Sequence, residues 1–455
     1  MELRFNKENI NPIQFAFKDK VDLVFFKGAK GEILPNDGKI YLGLGEEDEF
    51  NKQILKEAVC TLGKFLKEKD VESISILDNP TKLADKDFIL SVAEALIVSQ
   101  YDFDHYKSKK KENLFKNVNF DNKFSEFEAD LKELENVLVG QFLTRDLVNL
   151  RSNDIYPESL AQAAVDNLSD LGVEVKVYGK NEILAMNLTA FYEVAKGSDK
   201  EPKFIVMEYL HGEKDEAPLA LVGKGLTYDA GGYSIKTSNG MKTMNSDMGG
   251  SGIVIGAMKA IALNKLKVNV VAIVAACENL ISGKSYKPGD IIKARNSMTI
   301  DVDNTDAEGR ITLADAVNYA ATEYKPALII DLATLTGAAL GALGETYTPS
   351  ITNNQEAFDK LIEASKIADE KIWQMPNDPF FKTYNESENG DVKNSGGPLA
   401  GSITAGQFIE NFVEDYPWIH LDIAGTAYLS APQGLNGKGA TGVHVKTLYE
   451  FAKNN

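Results

Sequence analysis

Asp303-Asn304-Thr305-Asp306-Ala307-Glu308-Gly309-Arg310 is the most informative stretch of this chain. It follows the strand-like run Thr299–Val302 and spaces Asp306, Glu308 and Arg310 two residues apart. If the extended backbone continues, these three charged side chains project from one side of it. Two carboxylates and a guanidinium so close together predict a site for a ligand or a metal ion. A charged surface turn is the alternative, and it would be preferred if this stretch stood alone.

A second cluster upstream favours the site. Lys224, Asp229 and Lys236 stand among glycines, and Asp247 follows them. Glycines allow the backbone to turn tightly or to approach a ligand closely. A phosphate loop is not indicated, because Lys224 is followed by glycine where that motif needs Ser or Thr, and no G-x-G-x-x-G opens a helix here.

The histidines restrict the kind of metal site. The chain has four, and none is spaced to pair with another on a helix. Any metal site must therefore be built mainly from oxygen ligands, which the two clusters supply. We expect His420 to be a structural histidine and Asp331 to orient the loop that follows it.

Composition excludes several classes of protein. With 455 residues, 44% apolar and 25% charged, the chain is typical of a soluble globular protein with two domains. A net charge of −18 argues against nucleic-acid and anionic-membrane partners. Two cysteines fit no disulfide framework, and the N-terminus lacks the apolar core of a signal peptide, so we expect a cytoplasmic protein with no membrane partner.

Hydrophobic periodicity predicts an α/β fold in two parts. Residues 1–120 alternate strands and helices as a small α/β domain, 121–150 form a long linker helix, and 151–455 form a larger catalytic domain. The larger domain is expected to have a mostly parallel central sheet flanked by helices. The predicted strands are Val21–Phe26, Ile40–Gly43, Ser73–Leu77, Ala217–Val222, Val268–Ala275, Ala327–Asp331 and Ile419–Ile423. The predicted helices are Lys52–Lys67, Asp87–Val98, Phe124–Asn149, Gly249–Leu263, Ile311–Glu323 and Thr404–Glu414.

The charged residues follow these strands. Lys224, the Asp306 cluster and the loop Asp331–Gly337 each come just beyond the C-terminal end of a strand-like run. Open α/β sheets bind ligands at that edge. The sequence therefore predicts a site there.

Together the two clusters resemble the leucyl aminopeptidase family of dinuclear metallo-exopeptidases. Asn304–Arg310 reproduces the family signature, and Lys224, Asp229, Lys236 and Asp247 stand at the family's spacing ahead of it. The resemblance covers the chain from about Gln141 to the C-terminus and extends more faintly through Tyr101–Lys107. Further similar stretches are Arg145–Asn149, Tyr286–Asp290, Asp331–Gly337 and Trp418–Gly425.

The resemblance implies two divalent cations per subunit. Asp229 and Glu308 bridge them, Asp306 completes one shell, and Lys224 and Asp247 complete the other. The Lys224 amine must lose its proton to serve as a ligand. Mn²⁺ or Zn²⁺ is expected, with Mg²⁺ and Co²⁺ also compatible with such ligands.

The resemblance also assigns catalytic and substrate-binding roles. Lys236 stabilises the developing oxyanion, and Arg310 holds a bicarbonate ion that takes a proton from the attacking water. Short peptides are the substrates, with leucine or another uncharged residue at the N-terminus and broad specificity, and the assembly is a homohexamer. Ala427 stands where a larger residue, often methionine, is expected. The substrate-binding residues are Met244, Asn304, Thr334, Leu335, Gly337, Ala424 and Ala427.

Other interpretations stay open at this point. Asp229–Lys236 and Asp306–Arg310 could be plain salt bridges, and Asp247 could stabilise the N-terminus of the helix beginning near Gly249. The whole chain could be a non-catalytic DNA-binding or regulatory protein on the same fold. An amidase or dipeptidase of another specificity would share the chemistry.

Overall fold

The computed structural model describes every residue of the chain except Asp19 and Asp22. The chain forms two compact units, Met1–Leu138 with Ala431–Gly437, and Val139–Ser430 with Lys438–Asn455. The division falls inside one long helix. Among the described residues, no helix is long and apolar enough to cross a membrane.

The first unit contains two three-stranded sheets. Strands β1, β6 and β5 pair in parallel, whereas β4 pairs in parallel with β2 and antiparallel with β3. Two helices, α1 and α2, pack their apolar faces into the core of this unit. The elements are β1 (Glu2–Asn6), β2 (Ile13–Ala16), β3 (Ile33–Asn36), β4 (Lys39–Gly43), α1 (Lys52–Glu68), β5 (Ser73–Ile76), α2 (Asp85–Ser99) and β6 (Asn117–Asp121).

One strand prediction in this unit is wrong. In the predicted strand Val21–Phe26, the residues Leu23–Phe26 form a turn closed by an isolated bridge between Leu23 and Phe26, and Asp22 lies outside the described residues. Val24 and Phe25 point outward, 89% and 86% exposed. An apolar run without a partner strand therefore did not become a strand.

The predicted long helix is present. After a 3₁₀ turn at Asn122–Phe127, helix α3 runs over Glu128–Asn149. Its second half lies tightly against the helix Gly249–Leu263, since a side chain at Gly140 would meet the Gly256 carbonyl at 2.3 Å. Thr144 Oγ1 also donates to the Gly252 carbonyl at 2.8 Å.

The second unit is built on an eight-stranded sheet in the order β15-β14-β17-β13-β9-β10-β8-β7. Its strands are β7 (Glu174–Tyr178), β8 (Lys203–Leu210), β9 (Leu219–Asp229), β10 (Asn269–Asn279), β13 (Leu328–Ala333), β14 (Thr348–Thr352), β15 (Ile372–Gln374) and β17 (Trp418–Asp422). Smaller sheets are formed by β11 (Ile291–Lys293), β12 (Thr299–Asp301) and β16 (Val392–Lys393), and by β18 (Tyr428–Leu429) and β19 (Gly439–Ala440).

Helices cover this sheet. They are α4 (Pro157–Leu168), α5 (Lys180–Ala185), α6 (Thr189–Ala195), α7 (Ser238–Met241), α8 (Gly249–Leu263), α9 (Glu308–Tyr319), α10 (Gly337–Leu343), α11 (Gln355–Ala368), α12 (Gly401–Glu410) and α13 (Val445–Asn454). Short 3₁₀ turns lie at Ser169–Leu171, Met244–Ser246 and Pro379–Asn385, and a π-helical turn, Ala320–Tyr324, follows α9.

The large sheet is mixed, and its centre is parallel. Strands β17, β13, β9 and β10 run in one direction, while β8, β7 and β14 introduce antiparallel pairs. The predicted α/β class, with a larger and a smaller α/β part, is confirmed. Because the four central strands are parallel, their C-terminal residues, Asp422, Ala333, Asp229 and Asn279, meet at one edge.

Candidate active site

Lys224 lies inside β9, not beyond its end as predicted. The glycines around it allow close packing instead of a turn. A side chain at Gly223 would meet the Gly250 carbonyl at 2.6 Å, and one at Gly225 would meet the Ala275 carbonyl at 2.8 Å. The strand therefore continues to Asp229, and Lys224 projects from it into the site.

The Lys224 ammonium joins three segments of the chain. Its Nζ lies 2.7 Å from Asp247 Oδ2 and 3.0 Å from Glu308 Oε1, and it donates to the Thr334 carbonyl at 3.0 Å. Thr334 Oγ1 also donates to Asp247 Oδ1 at 2.7 Å. Helix α8 receives no side-chain cap from the described residues, and the Asp247 carboxylate, two residues before its first turn, is paired with Lys224.

Lys236 forms a second ion-pair cluster. Its Nζ lies 2.7 Å from Asp229 Oδ2 and 2.5 Å from Asp306 Oδ1. The Asp229–Lys236 pair considered above is therefore present. The structure pairs Asp306 with Lys236, and among the described residues it shows no Asp306–Arg310 salt bridge.

The signature stretch is a turn followed by a helix, so the expected extended backbone is wrong. Asn304 Oδ1 accepts from the Asp306 amide at 2.8 Å, which closes the turn, and α9 begins at Glu308. Asn394 holds the turn from outside, accepting from the Asp303 amide at 2.9 Å and donating to the Asn304 carbonyl at 2.6 Å.

Thr305 fastens this turn to the loop after β9. Its Oγ1 donates to the Gly231 carbonyl at 2.7 Å and accepts from the Ser234 amide at 2.8 Å. The two clusters found in the sequence are thus brought together by direct hydrogen bonds. Ligand oxygens of Asp229, Asp306 and Glu308 all lie within 4.8 Å of one another, close enough to hold a metal ion.

Two of the carboxylates have raised pKa values although lysines lie beside them. Burial, with the charge of Asp229 added, raises the pKa of Glu308 to about 8 despite the nearby Lys224. Burial likewise raises the pKa of Asp247 to about 6. Glu308 Oε2 is also buried without a hydrogen-bond partner among the described residues. Oxygen ligands that are buried and short of positive charge fit divalent cations.

Both lysines are charged in this arrangement. Burial lowers the pKa of Lys224, but the charges of Asp247, Glu308 and Asp229 outweigh it, so the pKa lies above the ordinary lysine value. The pKa of Lys236 is raised in the same way, against burial, chiefly by the charges of Asp229 and Glu308.

Arg310 lies in the first turn of α9 and is buried. Burial lowers the pKa of its guanidinium to about 10, against the charges of Glu308 and Asp422, so it remains a cation at neutral pH. Its Nε has no hydrogen-bond partner among the described residues. It can therefore donate to an anion.

The predicted substrate-binding residues lie on several loops around the acidic cluster. A side chain at Gly249 would meet Thr334 Cγ2 at 3.2 Å and Ala427 Cβ at 3.3 Å, so these residues line one small space. Gly337 faces open space, since beyond its chain neighbours and its own helix no described atom lies within 4 Å of the position that a Cβ would take there. Leu335 and Ala424 flank this region on the loops after β13 and β17, and Met244 begins a 3₁₀ turn, each partly buried.

His420 is structural, as expected. It is buried, and its Nδ1 lies 2.7 Å from Asp331 Oδ1. Asp331 also accepts from Trp418 Nε1 at 2.6 Å, so it is committed to two side chains of β17. It does not orient the following loop as predicted.

Asp422 orients that loop instead. Its Oδ1 accepts from the amides of Leu335 and Thr336 at 3.1 and 3.3 Å, and its Oδ2 accepts from Thr336 Oγ1. The sequence assigned no role to Asp422, nor to Asn279 and Asn394. The signal available for Asp422 and Asn279 was their position at the ends of strands aimed at the site.

Comparison with known proteins agrees with this geometry. A family model described as the cytosol aminopeptidase family, catalytic domain, matches residues 142–449, and the N-terminal domain model of the same family matches residues 26–110. The chain belongs to the cytosol aminopeptidase family. The resemblance to leucyl aminopeptidases is therefore confirmed.

Individual members of the cytosol aminopeptidase family match along most of their length. A probable cytosol aminopeptidase of Clostridium tetani is 48% identical, covering 98% of this chain and 94% of that protein. One from Treponema denticola is 46% identical, covering 90% and 88%. The solved bottromycin maturation enzyme BotP in complex with Mn has a TM-score of 0.89 at 25% identity, covering 98% of this chain and 99% of that chain.

The protein is accordingly a metal-dependent aminopeptidase, a hydrolase that acts as a metallo-exopeptidase. The comparisons give no support to the DNA-binding alternative. They support the use of divalent metal ions and of peptide substrates.

Proposed function

We propose that this aminopeptidase removes leucine and other uncharged N-terminal residues from short peptides at a site for two divalent cations. The observation that carries the proposal is the convergence of three carboxylates, Asp229, Asp306 and Glu308, within 4.8 Å beside two lysines. The proposed ligands are Lys224, Asp229, Asp247, Asp306 and Glu308.

The ligand set suits this role by its charge. Four carboxylates bring four negative charges, which two divalent cations would balance once Lys224 gives up its proton and acts as a nitrogen ligand. Glu308 pairs with Lys224 and Asp229 with Lys236, and because their oxygens lie within 4.8 Å of each other, both would help to hold the two cations. When bound, the cations would supply a water of lowered pKa and polarise the scissile carbonyl.

Lys236 and Arg310 would act on the reacting groups. The Lys236 ammonium would donate to the oxyanion as charge develops there, and its Nζ already lies at the acidic cluster, 2.5 Å from Asp306 Oδ1. Arg310 would hold a bicarbonate ion through its planar guanidinium, and this anion would supply a proton acceptor for the water. The buried, unpaired Nε of Arg310 supports this assignment.

The proposed substrate subsite is apolar and small. Thr334 and Ala427 meet around Gly249, and Gly337 leaves open space. Met244, Asn304, Leu335 and Ala424 complete the proposed set. A methylene in such a pocket discriminates by only about 1–3 kcal/mol, so broad specificity is expected.

The remaining assignments rest on the resemblance to the family and, for the domain bounds, on the sequence pattern. We propose Mn²⁺ or Zn²⁺ as the cations, with Mg²⁺ or Co²⁺ also accepted, a homohexamer, and a cytoplasmic location. We place the catalytic domain at residues 151–455, the linker helix at 121–150 and the N-terminal domain at 1–120.

Metal analysis with an activity assay tests the proposal. Protein freed of metal by chelation and then loaded with Mn²⁺ or Zn²⁺ should take up two ions per chain and hydrolyse a leucyl chromogenic amide. An N-acetylated version of the same amide should not be cleaved. Uptake of fewer than two ions by folded protein, or cleavage of the blocked amide, would refute the two-metal exopeptidase site.

A further inference from the structure

Asn279, the last residue of β10, joins two ligand-bearing segments of the site. Its buried side chain donates through Nδ2 to Asp229 Oδ1 at 2.8 Å and to the Thr305 carbonyl at 2.9 Å. One amide group therefore ties the end of β9 to the turn that carries Asp306. We propose that Asn279 is a positioning residue that sets Asp229 and this turn for metal binding, an inference that rests on the two-metal function proposed above.

The orientation of the Asn279 amide is fixed by its surroundings. A reversed amide would turn its oxygen toward the Asp229 carboxylate and the Thr305 carbonyl, which are both acceptors. In the observed orientation Oδ1 is buried without a hydrogen-bond partner among the described residues. A buried acceptor without a donor is unfavourable, so the site retains this side chain for its two donated bonds.

These bonds determine which oxygen Asp229 presents to the site. Asp229 Oδ1 accepts from Asn279 and also from the Gly231 amide at 2.8 Å, so both of its lone pairs are occupied. The other oxygen, Oδ2, is the one that faces Lys236 Nζ at 2.7 Å. Asn279 thus orients the carboxylate without adding charge, whereas a lysine or arginine there would compete with cations for it.

Tyr286 provides a comparison with Asn279, because its side chain donates to only one of the two groups that accept from Asn279. Its hydroxyl donates to the same Thr305 carbonyl at 2.8 Å, and the described hydrogen bonds of its side chain do not include Asp229. If Asn279 served only to brace the turn, loss of either donor would have a similar effect. If it acts through Asp229, loss of Asn279 should weaken metal binding much more.

Metal binding and turnover measured on the same variants test the proposal. The variants are Asn279→Ala, Asn279→Thr, Tyr286→Phe and, as a control for a buried amide, Asn318→Ala. Asn318 donates to the Phe412 carbonyl at 3.2 Å from the last turn of α9. It lies ten residues beyond Glu308, about 15 Å along the helix. Each protein is stripped of metal and titrated with Mn²⁺ by calorimetry, and kcat and KM are measured at saturating Mn²⁺.

We expect Asn279→Ala to bind Mn²⁺ about 10–100-fold more weakly, as is typical when a partner of a metal ligand is lost. Asn279→Thr keeps one hydroxyl donor and should fall between it and the parent, whereas Tyr286→Phe and Asn318→Ala should bind like the parent. At saturating Mn²⁺, kcat of Asn279→Ala should remain reduced while KM changes little.

Three results would overturn the proposal, and they are distinguishable. If the parent binds Mn²⁺ and turns over substrate while folded Asn279→Ala and Asn279→Thr bind Mn²⁺ equally well, the positioning role is wrong and the two-metal function stands. An equal loss in Tyr286→Phe and Asn279→Ala would assign Asn279 to bracing the turn. If the parent itself takes up no Mn²⁺, both proposals fail.

Discussion

The carboxylate of Asp422 accepts a hydrogen bond of 2.6 Å from the hydroxyl of Thr336. The same side chain also accepts from the amides of Leu335 and Thr336, so it holds the backbone of the loop that follows β13. That loop carries Thr334, whose carbonyl accepts from Lys224. A buried carboxylate on β17 thus connects the proposed substrate subsite to the proposed metal site.

Replacing Asp422 should impair substrate binding more than metal binding. In Asp422→Ala the Leu335 and Thr336 amides lose a charged acceptor, a bond type worth about 1.5–3 kcal/mol, and the loop loosens. We expect KM for a leucyl amide to rise about tenfold or more. Asp422→Asn keeps one acceptor oxygen and should be milder. Unchanged KM with a large loss of Mn²⁺ affinity would contradict this role.

Lys236 should matter for turnover and not for metal uptake. Lys236→Met keeps the length of the side chain and removes the donor, so kcat should fall about 10²–10³-fold. Mn²⁺ affinity should be retained or increased, because a competing cation leaves Asp229 and Asp306. Steady-state kinetics at saturating Mn²⁺ and calorimetry check the two halves. Full activity in this variant would remove Lys236 from the mechanism.

Gly309→Ala should displace Lys224. A side chain at Gly309 would lie 2.3 Å from Lys224 Cε and 2.7 Å from its Nζ, so the lysine must move away from Asp247 and Glu308. We expect weaker Mn²⁺ binding with little loss of folding stability, because a flexible side chain can move where a backbone cannot. Gly341→Ala is the matched control, since beyond its own helix no described atom lies within 4 Å of the added carbon. Parent-like Mn²⁺ binding in Gly309→Ala would show that the site tolerates a shifted Lys224.

Stability should decrease in mild acid through His444. Burial lowers the pKa of this histidine to about 3 from 6.5, although Glu370 Oε2 lies 3.8 Å from its Nδ1. Between these values the unfolded chain binds a proton that the folded chain does not, so stability falls as pH drops below about 6.5. The slope approaches about 1.4 kcal/mol per pH unit.

Urea unfolding at pH 7.5 and pH 5.5 measures this effect in the parent and in His444→Asn. Asparagine suits this position because the backbone φ is 65°, a left-handed conformation that it tolerates. Between the two pH values, the free energy of unfolding of the variant should fall by about 1.4 kcal/mol less than that of the parent. Equal losses would place the acid sensitivity elsewhere.

The sequence predicted the central strands and helices because each is a continuous apolar run or an amphipathic repeat. Helix Gly249–Leu263 has the predicted bounds, and β10 and β13 differ from them only at their ends. Strand β9 was predicted too short, since Gly223 and Gly225 suggest a turn unless the packing of α8 and β10 against them is known. The run at Val21–Phe26 failed for the opposite reason, because β propensity alone does not supply a partner strand.

For the site, the sequence identified side chains that can bind cations. It did not identify the residues that hold those side chains in position. The proposed ligands carry charge and stand at recognisable spacing. No local pattern marks Asn279, Asn394 and Asp422, because Asn and Asp occur throughout the chain. Only the pairing of distant strands brings these three residues to their partners. Local spacing also suggested an extended backbone at Asp306, whereas the hydrogen bond from the Asp306 amide to the Asn304 side chain and the helix beginning at Glu308 determine the actual turn.

The order of strands β17-β13-β9-β10 has a consequence for synthesis of the enzyme. Asp229 is translated early, but the strand that carries Asp422 comes near the end of the chain and pairs with β13 in the sheet. Until that strand emerges from the ribosome, the loop at Thr334–Thr336 lacks its carboxylate support. We therefore expect this loop to take its hydrogen-bonded form only after β17 has been made and has paired with β13.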